Sequence, residues 1–507
     1  MNKIVKVFGP PGTGKTTYLL DRVSELISEG ISPARIGYFA FTRKAAHEAR
    51  ERAIERFDFL QRSDFGNFRT LHSLAYARLG LNPDKMLKPK LFAEFVAKYN
   101  IDASVAVGDE PSEVTVNNPI LNVYNLARLR CVHPKIQYDK SELKIAWHHF
   151  EYVYLSYQEF LKEHNVYDYT NLLETFATVK DVYYPHLDAV FIDEAQDLSL
   201  LQWEIVRRLV NHSDRSWIAG DDDQAIYGFS GADVKQFLQT EGEEVVLGHS
   251  YRVPQAVHDL ANRIVNRIKL RVEKIWSAND KLGAVSFQST FYDVDYTQDG
   301  TWLIMSATNY LLNDVNEYLR SIGLLFEHNH VRSIAETTIE AVYAWGVLRK
   351  GGDISANECR AIFSLLDAKF VKYGYRKFKG PEDTLYSIVT LRDIYGLKVE
   401  DTLTEDIPFW YDALTKISQE KITYIKAALR RGQSLRGTPR IKLSTIHGAK
   451  GGEADNVVLL SDLSNRFMEE YHREPDTITR MLYVAITRTK NRLFIIQPRD
   501  VGRAFRI

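Results

Sequence analysis

Short runs of β-branched and aromatic residues recur along the chain, each bounded by glycine or polar residues, and most lead into a stretch whose apolar positions repeat at helical spacing. The pattern predicts strands at residues 4–8 (IVKVF), 36–41 (IGYFAF), 189–192 (AVFI), 216–219 (SWIA) and 244–247 (EVVL). A second set lies at 302–306 (WLIMS), 441–446 (IKLSTI), 456–460 (NVVLL) and 492–496 (RLFII). Continuous apolar runs separated by helices, such as TTYLLDRVSELISEG at 16–30 and the patterns at 309–321 and 478–487, read as a parallel sheet covered on both faces. We therefore expect an α/β protein with two parallel-sheet cores, one from residues 1–75 and 186–243 and another from 244–335 and 439–507. Residues 76–185 and 336–438 interrupt these cores with helical periodicity, as in WHHFEYVYLSYQEFLKEHNVYDY, and predict an inserted, mainly helical subdomain in each.

Composition changes this picture little. With 507 residues the chain is long enough for about three to four folded units at roughly 150 residues each. Lys plus Arg (65) nearly cancels Asp plus Glu (66), so a polyanion would have to be met by a local basic surface. Two cysteines, Cys131 and Cys359, make neither a disulfide framework nor a thiolate metal site and suit a reducing compartment. No run approaches the roughly 18 apolar residues of a membrane span, so no membrane partner is expected and the cytoplasm is the expected location, at the nucleoid or, for a viral protein, in the host cytoplasm. The 28 tyrosines and 25 phenylalanines supply core, and some could stack on bases.

The chemistry concentrates in two motifs. GPPGTGKT fits a phosphate-binding loop running through Gly9, Pro10, Pro11, Gly12, Thr13 and Gly14, whose glycines let backbone N–H groups point at phosphates, and Thr17 follows in the helix. Lys15 would reach the outer phosphates and Thr16 would ligate Mg²⁺. FIDEAQD places Asp193 and Glu194 just past a buried strand, Asp193 in position to hold the Mg²⁺ shell and Glu194 to polarise an attacking water. A nucleotide with a γ-phosphate and Mg²⁺ are the implied ligands.

Further motifs follow in order: FTRKAAHEAR (41–50), TLHSLAYARL (70–79), IAGDDDQAIYGFSGA (218–232), SYRVP (250–254), LSTIHGAKGGE (443–453) and MLYVAITRTK (481–490). With the two nucleotide motifs, the set resembles the superfamily 1 helicases of the UvrD, Rep and PcrA type over nearly the whole length. The resemblance implies two RecA-like cores with ATP in the cleft between them, each core carrying a helical insertion. It also implies that Gln224 senses the γ-phosphate, that Arg252 and Arg488 reach it from the second core, that Tyr251 stacks on adenine and that Glu453 contacts the ribose. Phe41, Thr42, Arg43, Thr70, His72, Tyr227, Phe229, Thr445 and His447 match positions lining the single-strand track. The chain departs from the family at Phe229, where tryptophan is usual, at Ser230 and Arg43, which stand for arginine and asparagine, and at Met305 and Ala307, which stand for Arg and Asn. Since the chain ends shortly after Arg488, a compact motor without an appended domain is expected.

The function expected from the resemblance is an ATP-dependent, 3′ to 5′ DNA helicase and translocase of replication, repair or recombination. It would act as a monomer on single-stranded DNA and single-strand/duplex junctions, with loading or repair proteins as further partners. Two other classes share parts of the pattern. A P-loop phosphotransferase would use Lys15 and Thr16 but needs an acceptor pocket in place of the strand motifs, and a non-unwinding translocase or DNA-binding regulator would keep the motifs without separating a duplex. Basic stretches at 369–380 (KFVKYGYRKFKG) and from Lys426 to Lys442 could extend the track or serve as solvated faces.

Overall fold

The computed structural model describes residues 3–57, 60–102, 104–107, 114–180, 184–398 and 407–507. The chain divides into two compact units: Met1–Gly283 with Glu469–Thr487 and Ile507, and Ala284–Met468 with Arg488–Arg506.

In the first unit the strands are β1 (Lys3–Phe8), β2 (Ile36–Phe39), β3 (Phe68–Arg69), β4 (Ser104–Val107), β5 (Val114–Asn117), β6 (Leu187–Ile192), β7 (Ser213–Gly220) and β8 (Glu243–Val246). Six of them form one parallel sheet in the order β3-β2-β6-β7-β1-β8. Both faces are apolar. Leu19, Leu20 and Val23 of helix Lys15–Ser28 cover one face, and Leu201, Ile205 and Leu209 of helix Leu200–Asn211 cover the other. The second helix starts on a capping box in which Gln202 N donates to Ser199 Oγ and Ser199 N donates to Gln202 Oε1, which satisfies two end groups and fixes the start.

The first insertion has its own aromatic core, with Phe92, Phe95, Phe150 and Tyr157 buried between helices Pro89–Tyr99, Pro119–Leu129 and Trp147–Glu163. It is less uniformly helical than its sequence predicts, because β4 and β5 pair as an antiparallel hairpin. Arg128 is buried there and forks between Asp168 at 2.7 Å and Glu174 at 2.7 Å, so neither charge is left alone in a poorly solvated place.

The second unit contains β9 (Ala284–Gln288), β10 (Trp302–Ser306), β11 (Phe326–His328), β12 (Val331–Arg332), β13 (Ile354–Ser355), β14 (Leu385–Tyr386), β15 (Ile441–Thr445), β16 (Ala454–Leu460) and β17 (Thr489–Ile496). Seven of these make a sheet in the order β12-β11-β15-β10-β16-β17-β9, parallel throughout except for β12 at one edge. Here sheet and insertion share one core: Trp302 and Ile304 belong to the same buried cluster as Trp345, Ile362 and Leu391. β13 and β14 form a small antiparallel pair among the helices of this insertion.

The boundary between the cores differs from the one expected at residue 243. β8 pairs with β1 and closes the first sheet, and helices Gln255–Val265 and Pro475–Ile486 lie in the first unit. Strand pairing and buried ion pairs hold these residues there, and neither leaves a mark in composition. Among the described residues no helix is long and apolar enough to cross a membrane.

Candidate nucleotide site and strand-binding surface

Because the first sheet is parallel, the carboxyl ends of its strands lie along one edge, with Phe8 beside Gly220 and Phe39 beside Ile192 in register. The phosphate-loop motif leaves β1 at this edge, Phe41 to Arg43 follow β2, Thr70 follows β3, Asp193 and Glu194 follow β6, and Asp221 to Gln224 follow β7.

The loop is held by its own backbone. Gly9 N donates to Gly220 O at 3.0 Å, and both Thr13 N and Thr13 Oγ1 donate to Pro10 O. Gly12 and Gly14 take left-handed backbone (φ +73° and +79°), which a side chain would strain, and Gly14 caps helix Lys15–Ser28. Gly9 is required for space: a Cβ there would come within 1.8 Å of the Lys15 stem, whose Nζ donates to Gly9 O at 3.1 Å. Lys15 Nζ also lies 3.6 Å from Glu194 Oε1.

Asp193 is buried and accepts three hydrogen bonds. Thr16 Oγ1 (3.1 Å) and Tyr38 OH (2.8 Å) reach its Oδ2, and Glu194 N (2.9 Å) reaches Oδ1. Burial, with the adjacent Glu194 charge, pushes the Asp193 carboxyl above the usual range against the pull of Lys15. Burial and the Asp193 charge raise the Tyr38 phenol well above its ordinary value, so it remains a neutral donor. Glu194 sits in left-handed backbone (φ +54°), a strained state for a side chain of this kind, and accepts from Gln196 Nε2 at 2.5 Å. Gln196 Oε1 in turn accepts from Asp221 N at 2.9 Å, so one buried amide ties the ends of β6 and β7 together.

Gln224 donates through Nε2 to Asp221 Oδ2 at 2.6 Å. Asp221, Asp222 and Asp223 are all buried, and cations from the same unit balance them. Lys274 Nζ lies 3.3 Å from Asp221 and 2.8 Å from Asp223 and also pairs with Asp222; Arg271 forks onto Asp223 with two bonds of 2.9 Å. Arg480 Nε donates to Asp222 O at 2.8 Å. Burial alone would lower the Lys274 ammonium, but the three carboxylates hold it up at about 12. With that charge balance, the cluster is a brace for Gln224 and not a cation site.

Tyr251 and Arg252 fall in the first unit. The physical reason is local: Ser250 Oγ donates to Pro11 O at 2.7 Å and Tyr251 N to Gly12 O at 2.8 Å, so the segment backs onto the phosphate loop. The approach is close enough that a Cβ on Gly12 would lie 2.4 Å from Arg252 Cβ. The Tyr251 ring is 75% exposed, which leaves its face open to a planar ligand.

On the strand-binding side, Phe41 stacks on Tyr227 with centroids 5.6 Å apart and planes 23° from parallel, and Tyr227 contacts Phe229 at 6.0 Å. Phe229 is 57% exposed, whereas Phe41 packs partly into the core, so the two aromatics expected on the track differ in how much face they offer. Thr42 and Thr70 are N-caps, accepting from Ala45 N and Ser73 N; this fixes their helices and turns Arg43 outward at the first position of helix Arg43–Ile54. Arg43, Lys44, Arg50, Arg69 and Thr70 line a basic cavity of about 500 Å³. His72 packs edge-on against Tyr169 at 6.0 Å, and burial together with the Arg43 charge lowers its imidazole to about 4, so it is neutral near pH 7.

In the second unit the expected residues fall at opposite edges of the sheet. Thr445 ends β15 and accepts from Gly448 N at 3.1 Å, while His447 stacks on Phe467 at 6.3 Å. Ile446 N donates to Ser306 O, which brings Ala307 to the same edge; Met305 and Ala307 are buried. Glu453 and Arg488 instead precede β16 and β17 at the amino edge. Ala454 N donates to Arg488 O at 3.1 Å, the Arg488 side chain is buried with Nη1 donating to Gly452 O at 3.4 Å, and Glu453 pairs with Lys490 at 2.5 Å.

The UvrD/REP helicase N-terminal domain matches residues 1–244 and the UvrD-like helicase C-terminal domain matches residues 383–499. The chain belongs to the UvrD/Rep family of superfamily 1 helicases. It is 28% identical over 349 residues to the ATP-dependent DNA helicase PcrA of Leuconostoc citreum, a match covering 65% of this chain but only 46% of that protein. A probable DNA helicase of Mycoplasma pneumoniae is 25% identical over 367 residues, with 67% of this chain and 68% of the relative covered. The putative ATP-dependent DNA helicase YjcD of Bacillus subtilis is 23% identical over 595 residues, covering 97% and 76%. The chain thus spans less than half the length of the PcrA protein it matches.

Within this UvrD/Rep chain, sequence reasoning missed Tyr38, Gln196 and the Lys274–Arg271–Arg480 brace. Gln196 was in view inside FIDEAQD, between two acids that could not bond each other. Tyr38 and Lys274 carry no local signal, because each acts on a residue distant in sequence.

Proposed function

We propose that the chain is an ATP-dependent DNA helicase that moves along single-stranded DNA, 3′ to 5′ as its family resemblance implies, and separates duplex at single-strand junctions. The observation that carries this reading is one sheet edge holding the phosphate loop, the Asp193–Glu194 pair and the Phe41–Tyr227–Phe229 aromatics. Hydrolysis machinery and a sequence-indifferent stacking surface on adjacent strand ends suit a motor better than a small-molecule phosphotransferase.

In this mechanism the loop N–H groups and Lys15 hold the phosphates. Glu194, kept in place by Gln196 and by its left-handed backbone, takes the proton from the attacking water. Gln224, fixed by Asp221, reads the γ-phosphate, and Arg252 and Arg488 stabilise the charge that builds during its transfer. The Thr16 hydroxyl and the Asp193 carboxylate are hard oxygen donors of the kind Mg²⁺ takes, and Mg²⁺ held there would neutralise phosphate charge. Tyr251 offers its exposed ring to adenine. Exposed Phe229 offers a face to a base, and the basic cavity beside Thr70 suits the backbone phosphates.

The test is ATP turnover with and without single-stranded DNA, followed by unwinding of a forked duplex, with Glu194→Gln as the inactive control. Turnover indifferent to DNA would end the motor reading. A non-unwinding translocase has one observation in its favour: Met305 and Ala307 are buried apolar residues in the second unit. Movement along single strands without strand separation would select it.

A further inference from the structure

Tyr38 is a fully buried tyrosine in the middle of β2, a strand whose other residues are simple core. Its ring is one member of a stack that crosses four neighbouring strands. Phe68 on β3 lies 5.3 Å from Tyr38 at 17°, Tyr38 lies 6.3 Å from Phe191 on β6 at 19°, and Phe191 lies 4.8 Å from Trp217 on β7 at 6°. These residues are direct register partners, so the rings stand side by side on one face of the sheet. A ring held between two others cannot turn its hydroxyl elsewhere. That hydroxyl donates to Asp193 Oδ2 at 2.8 Å, the same oxygen that accepts from Thr16 Oγ1.

A phenol in a core needs some acceptor, and a backbone carbonyl would serve. This one is aimed at the carboxylate that the proposed function assigns to the Mg²⁺ shell. Asp193 is otherwise fixed by its backbone, through Asp193 N to Phe39 O at 3.0 Å, and by Glu194 N on its far oxygen. Thr16 Oγ1 is itself a proposed metal ligand, and its hydroxyl can keep donating to Asp193 while an oxygen lone pair meets the ion. Tyr38 supplies a second donor to the same oxygen, from a residue that does not itself meet the ion.

We propose that Tyr38 is a positioning residue for the metal site: it holds the Asp193 carboxylate in its metal-facing orientation through an outer-shell hydrogen bond backed by the aromatic stack. The inference rests on the nucleotide and Mg²⁺ reading of the phosphate loop, and it does not depend on DNA movement. Outer-shell partners of this type are worth about 10- to 100-fold in metal affinity.

The experiment is Tyr38→Phe in the full chain, which keeps the ring and removes only the hydroxyl. Mn²⁺ binding in the presence of a non-hydrolysable ATP analogue is followed by electron paramagnetic resonance, and affinity for the analogue alone is measured in EDTA. The expected result is Mn²⁺ affinity weakened by about 10-fold with metal-free nucleotide affinity unchanged. Mn²⁺ affinity equal to wild type overturns the proposal, as does an equal loss of both affinities, which would mark a general distortion of the loop. Phe68→Leu, which loosens the stack but keeps the hydroxyl, is the second variant, with a smaller loss of Mn²⁺ affinity expected; a loss as large as that of Tyr38→Phe, or none, overturns the role given to the stack. Failure of the nucleotide reading itself would show differently, as wild-type protein that binds neither the analogue nor Mn²⁺ with it.

Discussion

The two sheets are built alike but carry their motif residues differently. In the first, every singled-out residue from Gly9 to Gln224 leaves the carboxyl edge, so phosphate contacts and strand contacts are neighbours. In the second, Thr445 and His447 leave the carboxyl edge while Glu453 and Arg488 stand at the amino edge. A strand of the length of β16, seven residues, spans roughly 20 Å, so the second sheet separates its two tasks by about a full strand. The lesson is that parallel topology fixes where chemistry can gather, and that the same topology can concentrate or divide it according to which loops are used.

The sharpest way to break this comparison is Arg488→Ala. If the amino edge of the second sheet contributes to the reaction, turnover should fall by about 10³- to 10⁵-fold while single-strand affinity stays near wild type. Steady-state ATPase and fluorescence anisotropy with a labelled oligonucleotide would check both. An unchanged turnover would confine the chemistry to the first sheet.

Next in size is the brace behind the first edge. Lys274→Met leaves Asp221, Asp222 and Asp223 buried without their shared cation, and should cost about 3–5 kcal/mol in denaturant unfolding. A small change would mean that Arg271 and Arg480 alone balance the three acids.

The strand surfaces should differ more gently. Phe229→Ala removes an exposed stacking face and should weaken single-strand binding by about 1–3 kcal/mol, whereas Thr445→Ala removes one hydroxyl and should cost about 1 kcal/mol. Equal losses would show that the two sheets grip the strand by the same means.

A further effect concerns pH. His72 is lowered to about 4 in the folded chain, so below its ordinary value near 6.5 the unfolded chain takes up a proton that the folded chain does not. Stability from this group is therefore present above about pH 6.5 and is lost as pH falls toward 4. His72→Gln should flatten that slope in unfolding midpoints taken at several pH values.

Much of this architecture is readable in the sequence. The apolar run at 302–306 coincides with β10, the run at 441–446 overshoots β15 by one residue, and the runs at 189–192 and 216–219 lie inside β6 and β7. Strands as short as β3, β11 and β12, of two or three residues, offer no period to detect, and β9, AVSFQ, is too polar to stand out. Residues 244–283 group with the first unit through contacts that the sequence does not display, and a lysine such as Lys274 looks in sequence like any surface charge. For the same reason motif spacing pointed to Arg252 but could not show that Ser250 and Tyr251 anchor it to Pro11 and Gly12. Tyr38 illustrates the limit most clearly: in a run of core aromatics, nothing marks the one whose hydroxyl meets a carboxylate.

Glu194 is the residue assigned to proton abstraction, and its main chain adopts a twist that asparagine or glycine tolerates far better. An inactive Glu194→Asn chain should thus relax about 1 kcal/mol of conformational tension, set against whatever its lost contact with Gln196 contributes. If Glu194 takes the proton as proposed, drift toward asparagine at this position would give a calmer but silent protein.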